Sequence, residues 1–144
     1  MRAVVQRVLD AAVEVDGAIV GAIPHGLLVY LGCAPGDDEA KAAQLAKRIV
    51  QARVFADPAG KMNLDLAATG GGVLVVSQFT LLGDTTQRRP YFGGALEPVR
   101  AEALYERFLQ EARALGPIVQ AGSFGAHMRV TATNDGPITL VYEH

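Results

Sequence analysis

The chain has 144 residues, of which 50% are hydrophobic and 19% charged, a size and balance that suit one domain, residues 1–144, with a buried core. A formal net charge of −2 supplies no overall basic footprint for wrapping a duplex, and the single Cys33 has no partner for a disulfide or a thiolate metal cluster. No apolar run reaches the roughly 18 residues needed to cross a bilayer, and Met1-Arg2-Ala3-Val4-Val5-Gln6-Arg7 alternates like a strand instead of a signal peptide, so a cytoplasmic protein without membrane association is expected.

In chain order, β-branched residues mark Ala3 to Leu9 and Ala12 to Ile23 as extended, broken by Asp16-Gly17, a dipeptide that supplies positive φ in a tight hairpin. Gly26 to Leu31 continues as a fully apolar strand. Pro35 and Gly36 then punctuate the chain, and Asp37-Asp38-Glu39 opens a helix to about Gln51, with Ala43, Ala46, Ile49 and Val50 as its apolar positions. Acidic residues there complement the helix dipole. A turn at Asp57-Pro58-Ala59-Gly60 precedes a short extended run, Met62 to Leu66, and Gly70-Gly71-Gly72 leads into the strongest strand, Val73 to Thr80.

Gly83 to Gly94 reads as a polar loop. Pro98 stands near the start of a second helix to about Leu115, in which Ala101, Leu104, Tyr105, Phe108 and Leu109 have helical spacing. Ile118 to Phe124, Met128 to Thr133 and Ile138 to Tyr142 are further strand-like runs. Strands outnumber helices and are not interleaved with them one for one. The expectation is an α+β domain with a mostly antiparallel, curled, barrel-like sheet and two main helices.

Several familiar chemistries lack their residues. Gly70-Gly71-Gly72 precedes a strand, whereas phosphate-cradling loops lie between a strand and a helix and end in Gly-Lys-Ser/Thr. The junction Gly32 to Gly36 is followed by three carboxylates that would repel a phosphate. His25, His127 and His144 fall in no metal-ligand spacing, so no metal and no cofactor is expected. A Ser-His-Asp triad could use Ser77 with His25 or His127, yet no Gly-x-Ser-x-Gly elbow surrounds Ser77.

Two segments remain. Val73-Leu74-Val75-Val76 gives way to Ser77-Gln78-Phe79-Thr80, which places polar side chains at a rim where a buried strand emerges. On physics alone the same residues better suit the satisfaction of backbone groups at a strand terminus. Asn134-Asp135-Gly136-Pro137 joins two strands and is composed of good turn formers. It also carries a Gly-Pro bond, the type of peptide most readily cis, and a cis bond would set two carbonyl oxygens as fixed acceptors for an ammonium group.

These motifs, with Val4-Val5-Gln6-Arg7-Val8, Gly60-Lys61-Met62-Asn63-Leu64 and Phe124-Gly125-Ala126-His127-Met128, resemble the D-aminoacyl-tRNA deacylase family over essentially the whole length. The resemblance implies a homodimer with its active site at the subunit interface. Its substrate would be the 3′ acceptor end of aminoacyl-tRNA, with hydrolysis of the ester of a D-amino acid, or of glycine mischarged on tRNA-Ala, and rejection of L-aminoacyl-tRNA as a proofreading step in translation. Ser77, Gln78, Phe79 and Thr80 would line the pocket, with main-chain N–H groups near Gln78 and Phe79 polarising the carbonyl.

Gly136 and Pro137, with Asn134 beside them, would form a Gly-cisPro element that reaches into the partner's pocket, holds the α-amino group and excludes an L side chain. By the same resemblance Arg7 braces that element, Phe124 and Met128 cradle the terminal adenine, and Ala101 lies close to the pocket. Without the resemblance Phe124 and Met128 read better as ordinary core residues, and Ala101 reads equally as one. General-base chemistry would lean on the substrate ribose 2′-hydroxyl and a bound water, since no base is visibly paired with Thr80. One departure from the family is His127, where aspartate is usual. A related class uses a trans Gly-Pro element on L-alanyl esters and typically carries Pro-Gln where this chain has Ser77-Gln78; a non-catalytic tRNA-binding module is the other alternative.

Overall fold

In the computed structural model, which describes all 144 residues, the elements follow in the order β1 (Arg2–Val15), β2 (Ala18–Ile23), β3 (Gly26–Gly32), α1 (Glu39–Val50), β4 (Phe55–Ala56), β5 (Met62–Leu64), α2 (Leu66–Thr69), β6 (Gly72–Ser77), a 3-10 turn (Phe79–Leu82), α3 (Pro98–Ala114), β7 (Val119–Ala121) and β8 (Arg129–Glu143). Asp16 and Gly17 have φ of 49° and 81°, the doubly positive pair that turns β1 into β2 without splaying the strands. The Asp38 side chain accepts from the Lys41 amide and caps α1, while the Glu97 side chain accepts from the Val99 and Arg100 amides and caps α3, with Pro98 in its first turn.

The main sheet is mixed, which corrects the expectation of a mostly antiparallel one. β1 pairs antiparallel with β2, β3 and β8, but β3–β6 and β6–β7 are parallel. The reason lies in the connections: α1, β4, β5 and α2 intervene between β3 and β6, and α3 intervenes between β6 and β7. Such long crossovers are what parallel neighbours require. Beside the two main helices there is a third, the single turn α2, capped by Asp65 and ended by Gly70 at a φ of 68°.

Strand alternation divides the core between the two faces of the sheet. Leu27, Val29 and Leu31 of β3, with Val73 and Val75 of β6, join a cluster of 23 buried residues that includes Leu45 and Ile49 of α1 and Phe108 and Leu109 of α3. Leu28, Leu74 and Val76 point the other way, into a second cluster with Val8, Ala11, Val13 and Ile23 inside the curl of the sheet. β3 and β6 are thus buried on both faces, which is why they read as unbroken apolar runs.

Close backbone approaches let the sheet curl. A Cβ on Gly21 of β2 would lie 2.5 Å from the Ala121 carbonyl oxygen of β7, so glycine there brings the two ends of the sheet together and nearly closes it. Gly26, at a φ of 145°, would clash with the Gly72 backbone if it carried a Cβ, and the pair opens the parallel register between β3 and β6. No helix is long and apolar enough to cross a membrane.

Candidate active site

Parallel strands end together, and their carboxyl ends form the natural crevice of such a sheet. Leu31 of β3 lies opposite Ser77 of β6, and just beyond them opens a cleft of ≈ 590 Å³. Its walls are Ser77, Gln78 and Phe79 from the end of β6, Ala101 and Tyr105 from α3, and Phe124 to Met128 from the segment before β8. The structure therefore brings Ser77, Gln78, Phe79, Ala101, Phe124 and Met128 around one cavity of the size that takes a nucleoside.

β6 stops at Ser77, three residues earlier than the sequence pattern indicates, because the chain turns into the 3-10 helix at Phe79. Thr80 is in that turn and does not itself line the cleft; its hydroxyl accepts a hydrogen bond from the Gln78 side-chain amide. The Gln78 main-chain N–H is committed to the Leu31 carbonyl at 2.8 Å, and Leu81 N–H donates to the Gln78 carbonyl at 3.2 Å. Of the amides in this stretch, those of Phe79 and Thr80 stand at the start of the turn, where a helix has no internal acceptors for them. They, unlike the Gln78 amide, have no acceptor within the turn.

Arg7, Asn134, Gly136 and Pro137 form a second group that does not line the cleft. Asn134 to Pro137 are part of the continuous strand β8 and do not link two strands, which corrects the turn expected there. The register explains how proline is tolerated. Gln6 pairs with Thr139 and Val8 with Asn134, so residues 135–138 stand opposite Arg7 alone and leave the ladder as a bulge. Proline is confined to such bulges and edges because it has no amide hydrogen to donate.

The Gly136-Pro137 peptide is cis, and both residues are exposed. Asn134 Nδ2 closes the base of the bulge by donating to the Arg7 carbonyl at 2.9 Å and to the Ile138 carbonyl at 3.1 Å. Arg7 donates through Nη1 to the Val54 carbonyl, and its Nε lies 2.9 Å from Asp135 Oδ2, an ion-pair contact without hydrogen-bond geometry.

Sequence reasoning missed several wall residues. Phe92, assigned to a polar loop, meets Phe79 edge to face with ring centroids 5.7 Å apart, a contact no local pattern signals. Cys33 sits in the cleft floor with its thiol pushed up to about 11, first by burial and then by Asp37, so it stays protonated at neutral pH and is no nucleophile. Tyr105 donates its hydroxyl to the Val75 carbonyl at 2.9 Å, and burial raises its phenol pKa, so it is a wall and a brace and not an acid. His127, where the resemblance expects aspartate, lines the cleft and also borders a small polar recess with Glu14, Asp16 and Arg129.

Thr80→Ala removes an exposed hydroxyl and frees the Gln78 amide. Turnover of an aminoacyl ester is expected to fall about tenfold, the equivalent of roughly one hydrogen bond, with unchanged circular dichroism and oligomeric state. Unchanged turnover would remove Thr80 from the site.

The fold that carries this cleft is found in solved structures. The fold is that of a structure described as a probable eukaryotic D-amino acid tRNA deacylase, with a TM-score of 0.81 over 98% of this chain and 97% of that one at 18% identity. A structure described as the c-Myc DNA Unwinding Element Binding Protein matches with a TM-score of 0.94 over 100% and 99% of the two chains at 37% identity.

The family model described as D-Tyr-tRNA(Tyr) deacylase matches residues 4–143, and the D-aminoacyl-tRNA deacylase of Sorangium cellulosum is 55% identical over 99% of this chain and 97% of its own. That of Lacticaseibacillus casei is 51% identical over 99% and 97%. The chain belongs to the D-aminoacyl-tRNA deacylase family of hydrolases.

Proposed function

We propose that the protein cleaves the ester joining a D-amino acid, and also glycine mischarged on tRNA-Ala, to the terminal adenosine of tRNA, releasing free amino acid and tRNA in the cytoplasm. The observation that carries this reading is the cleft itself. It offers aromatic and thioether walls, Phe124 and Met128, for an adenine, and a rim of Ser77, Gln78 and the Phe79 and Thr80 amides for the ester. Hydrolysis consumes one water. The acyl C–O bond breaks, the water oxygen joins the carbonyl carbon, and the ribose oxygen leaves with a proton. The substrate's free 2′-hydroxyl and a bound water supply the proton relay.

Selection of the D ester is assigned to the bulge of a second copy. The exposed Gly136-Pro137 stands on β8, whose other edge pairs with no strand, so it is available to an opposing subunit. Main-chain carbonyls on that bulge would accept from the α-ammonium and occupy the space an L side chain needs. Recognition by backbone makes acceptance of D side chains broad. Arg7 and Asn134 position the bulge.

Release of amino acid from D-Tyr-tRNA and L-Tyr-tRNA, followed side by side, tests both claims. Cleavage of the D ester alone is the expected result. Cleavage of both would remove chirality from the bulge, and cleavage of neither would leave a binding module. Sedimentation of fully active enzyme as a monomer would overturn the cross-subunit arrangement.

A further inference from the structure

The cleft accounts for the last nucleoside of the substrate and leaves the rest of the tRNA unheld. A chain of net charge −2 meets a polyanion with no general attraction, so contact beyond the terminal adenosine needs a local concentration of positive charge. The segment between Asp84 and Tyr91 provides one. Arg88 and Arg89 are both exposed and take part in none of the ion pairs, unlike Arg2, Arg7, Arg107 and Arg129. From Thr85 to Leu96 the sequence contains no carboxylate.

The two flanking acids are already engaged. Asp84 accepts from the Thr86 amide at 2.9 Å, and hydrogen bonds from Thr86 hold its pKa below the ordinary value. Glu97 caps α3 with both of its oxygens.

The segment is also built to hold a position. Asp84 N–H donates to the Tyr91 carbonyl at 2.8 Å and Tyr91 N–H returns to the Asp84 carbonyl at 2.9 Å, closing a hairpin with the two arginines near its tip. Its far end is tied to the site. Phe92 lines the cleft, meets the Phe79 ring, and lies so close over Gly83 that a Cβ there would come within 2.8 Å of it.

We infer that this hairpin is a phosphate grip: Arg88 and Arg89 bind backbone phosphates of the acceptor strand just upstream of the adenosine in the cleft. Arg88 lies four positions before Phe92, a span of at most about 14 Å when extended. A stacked strand rises roughly 3.4 Å per nucleotide, so the phosphates concerned lie within about four nucleotides of the 3′ end. Guanidinium suits the task because its planar fork meets two phosphate oxygens at once. Such contacts position the strand and read no base, so the grip favours no particular tRNA.

The inference rests on the deacylase reading, and the test separates the two. Wild type and the Arg88→Gln/Arg89→Gln protein are compared on D-Tyr-tRNA across a series of potassium chloride concentrations, and on 3′-O-(D-tyrosyl)adenosine, which has no phosphate. On tRNA the double variant is expected to lose about tenfold in kcat/KM at low salt, and the slope of log kcat/KM against log salt to shrink by about one per lost phosphate contact. On the adenosine ester its kcat/KM matches wild type. An unchanged salt slope on tRNA, or equal losses on both substrates, overturns the grip while leaving the deacylase reading intact. A wild-type protein that cleaves neither ester overturns that reading and the grip together.

Discussion

Replacing Phe79 with proline is expected to lower kcat on the D-aminoacyl ester by on the order of 10²-fold relative to Phe79→Ala, because it deletes the amide hydrogen that the proposed mechanism aims at the developing oxyanion. The position suits the experiment. Phe79 is the first residue of the 3-10 turn, where proline's missing N–H and fixed φ disturb least. Gln78 before it has φ −145° and ψ 75°, so its φ already suits a following proline and its ψ must open to the extended range. Phe79→Ala is the matching control. It loses the edge-to-face contact with Phe92 but keeps the amide, so the ratio of the two variants isolates the hydrogen-bond donor. A 10²-fold ratio corresponds to about 2.7 kcal/mol of transition-state stabilisation. Equal turnover of the two would show that the carbonyl is polarised elsewhere.

Phe108→Ala is expected to cost about 3–5 kcal/mol of folding stability, the range for truncating a fully buried aromatic side chain. Phe108 is 0% exposed and stands in the large cluster where α3 packs with α1 on the sheet. A loss of that size is a large part of the roughly 5–15 kcal/mol by which domains are stable. It is read directly as a lower urea midpoint at unchanged m-value. The consequence reaches the site, because Ala101 and Tyr105 line the cleft from the same helix. Activity is expected to fall with the folded fraction as temperature rises, and to stay near wild type where the variant is still folded. A cost under about 1 kcal/mol would mean that the core relaxes around the deletion and that α3 is anchored by its other buried residues.

What could be read without coordinates was whatever is encoded locally. Asp16-Gly17 specifies its hairpin through positive φ, Asp38 and Pro98 mark where helices begin, and the apolar runs at 26–31 and 73–76 announce strands buried on both faces. The family was legible for a related reason: its two motifs are short, contiguous and rare in combination.

The tertiary structure decided everything that depends on which segments become neighbours. The sheet is mixed because α1 and α3 each return the chain to the same sheet edge direction, and helical periodicity says nothing about where the next strand will pair. Asn134 to Pro137 form a bulge instead of a turn because β1 runs beside them without a break, and only the register of Gln6 with Thr139 and Val8 with Asn134 reveals it. Phe92 joins the cleft wall through Phe79, thirteen positions away in the chain, and the Gln78 amide, one of those expected near the ester carbonyl, is bonded to Leu31. Periodicity and turn chemistry act over a few residues, so they determine the elements; pairing, register and cavity walls are set by burial between distant residues, and those determine the site.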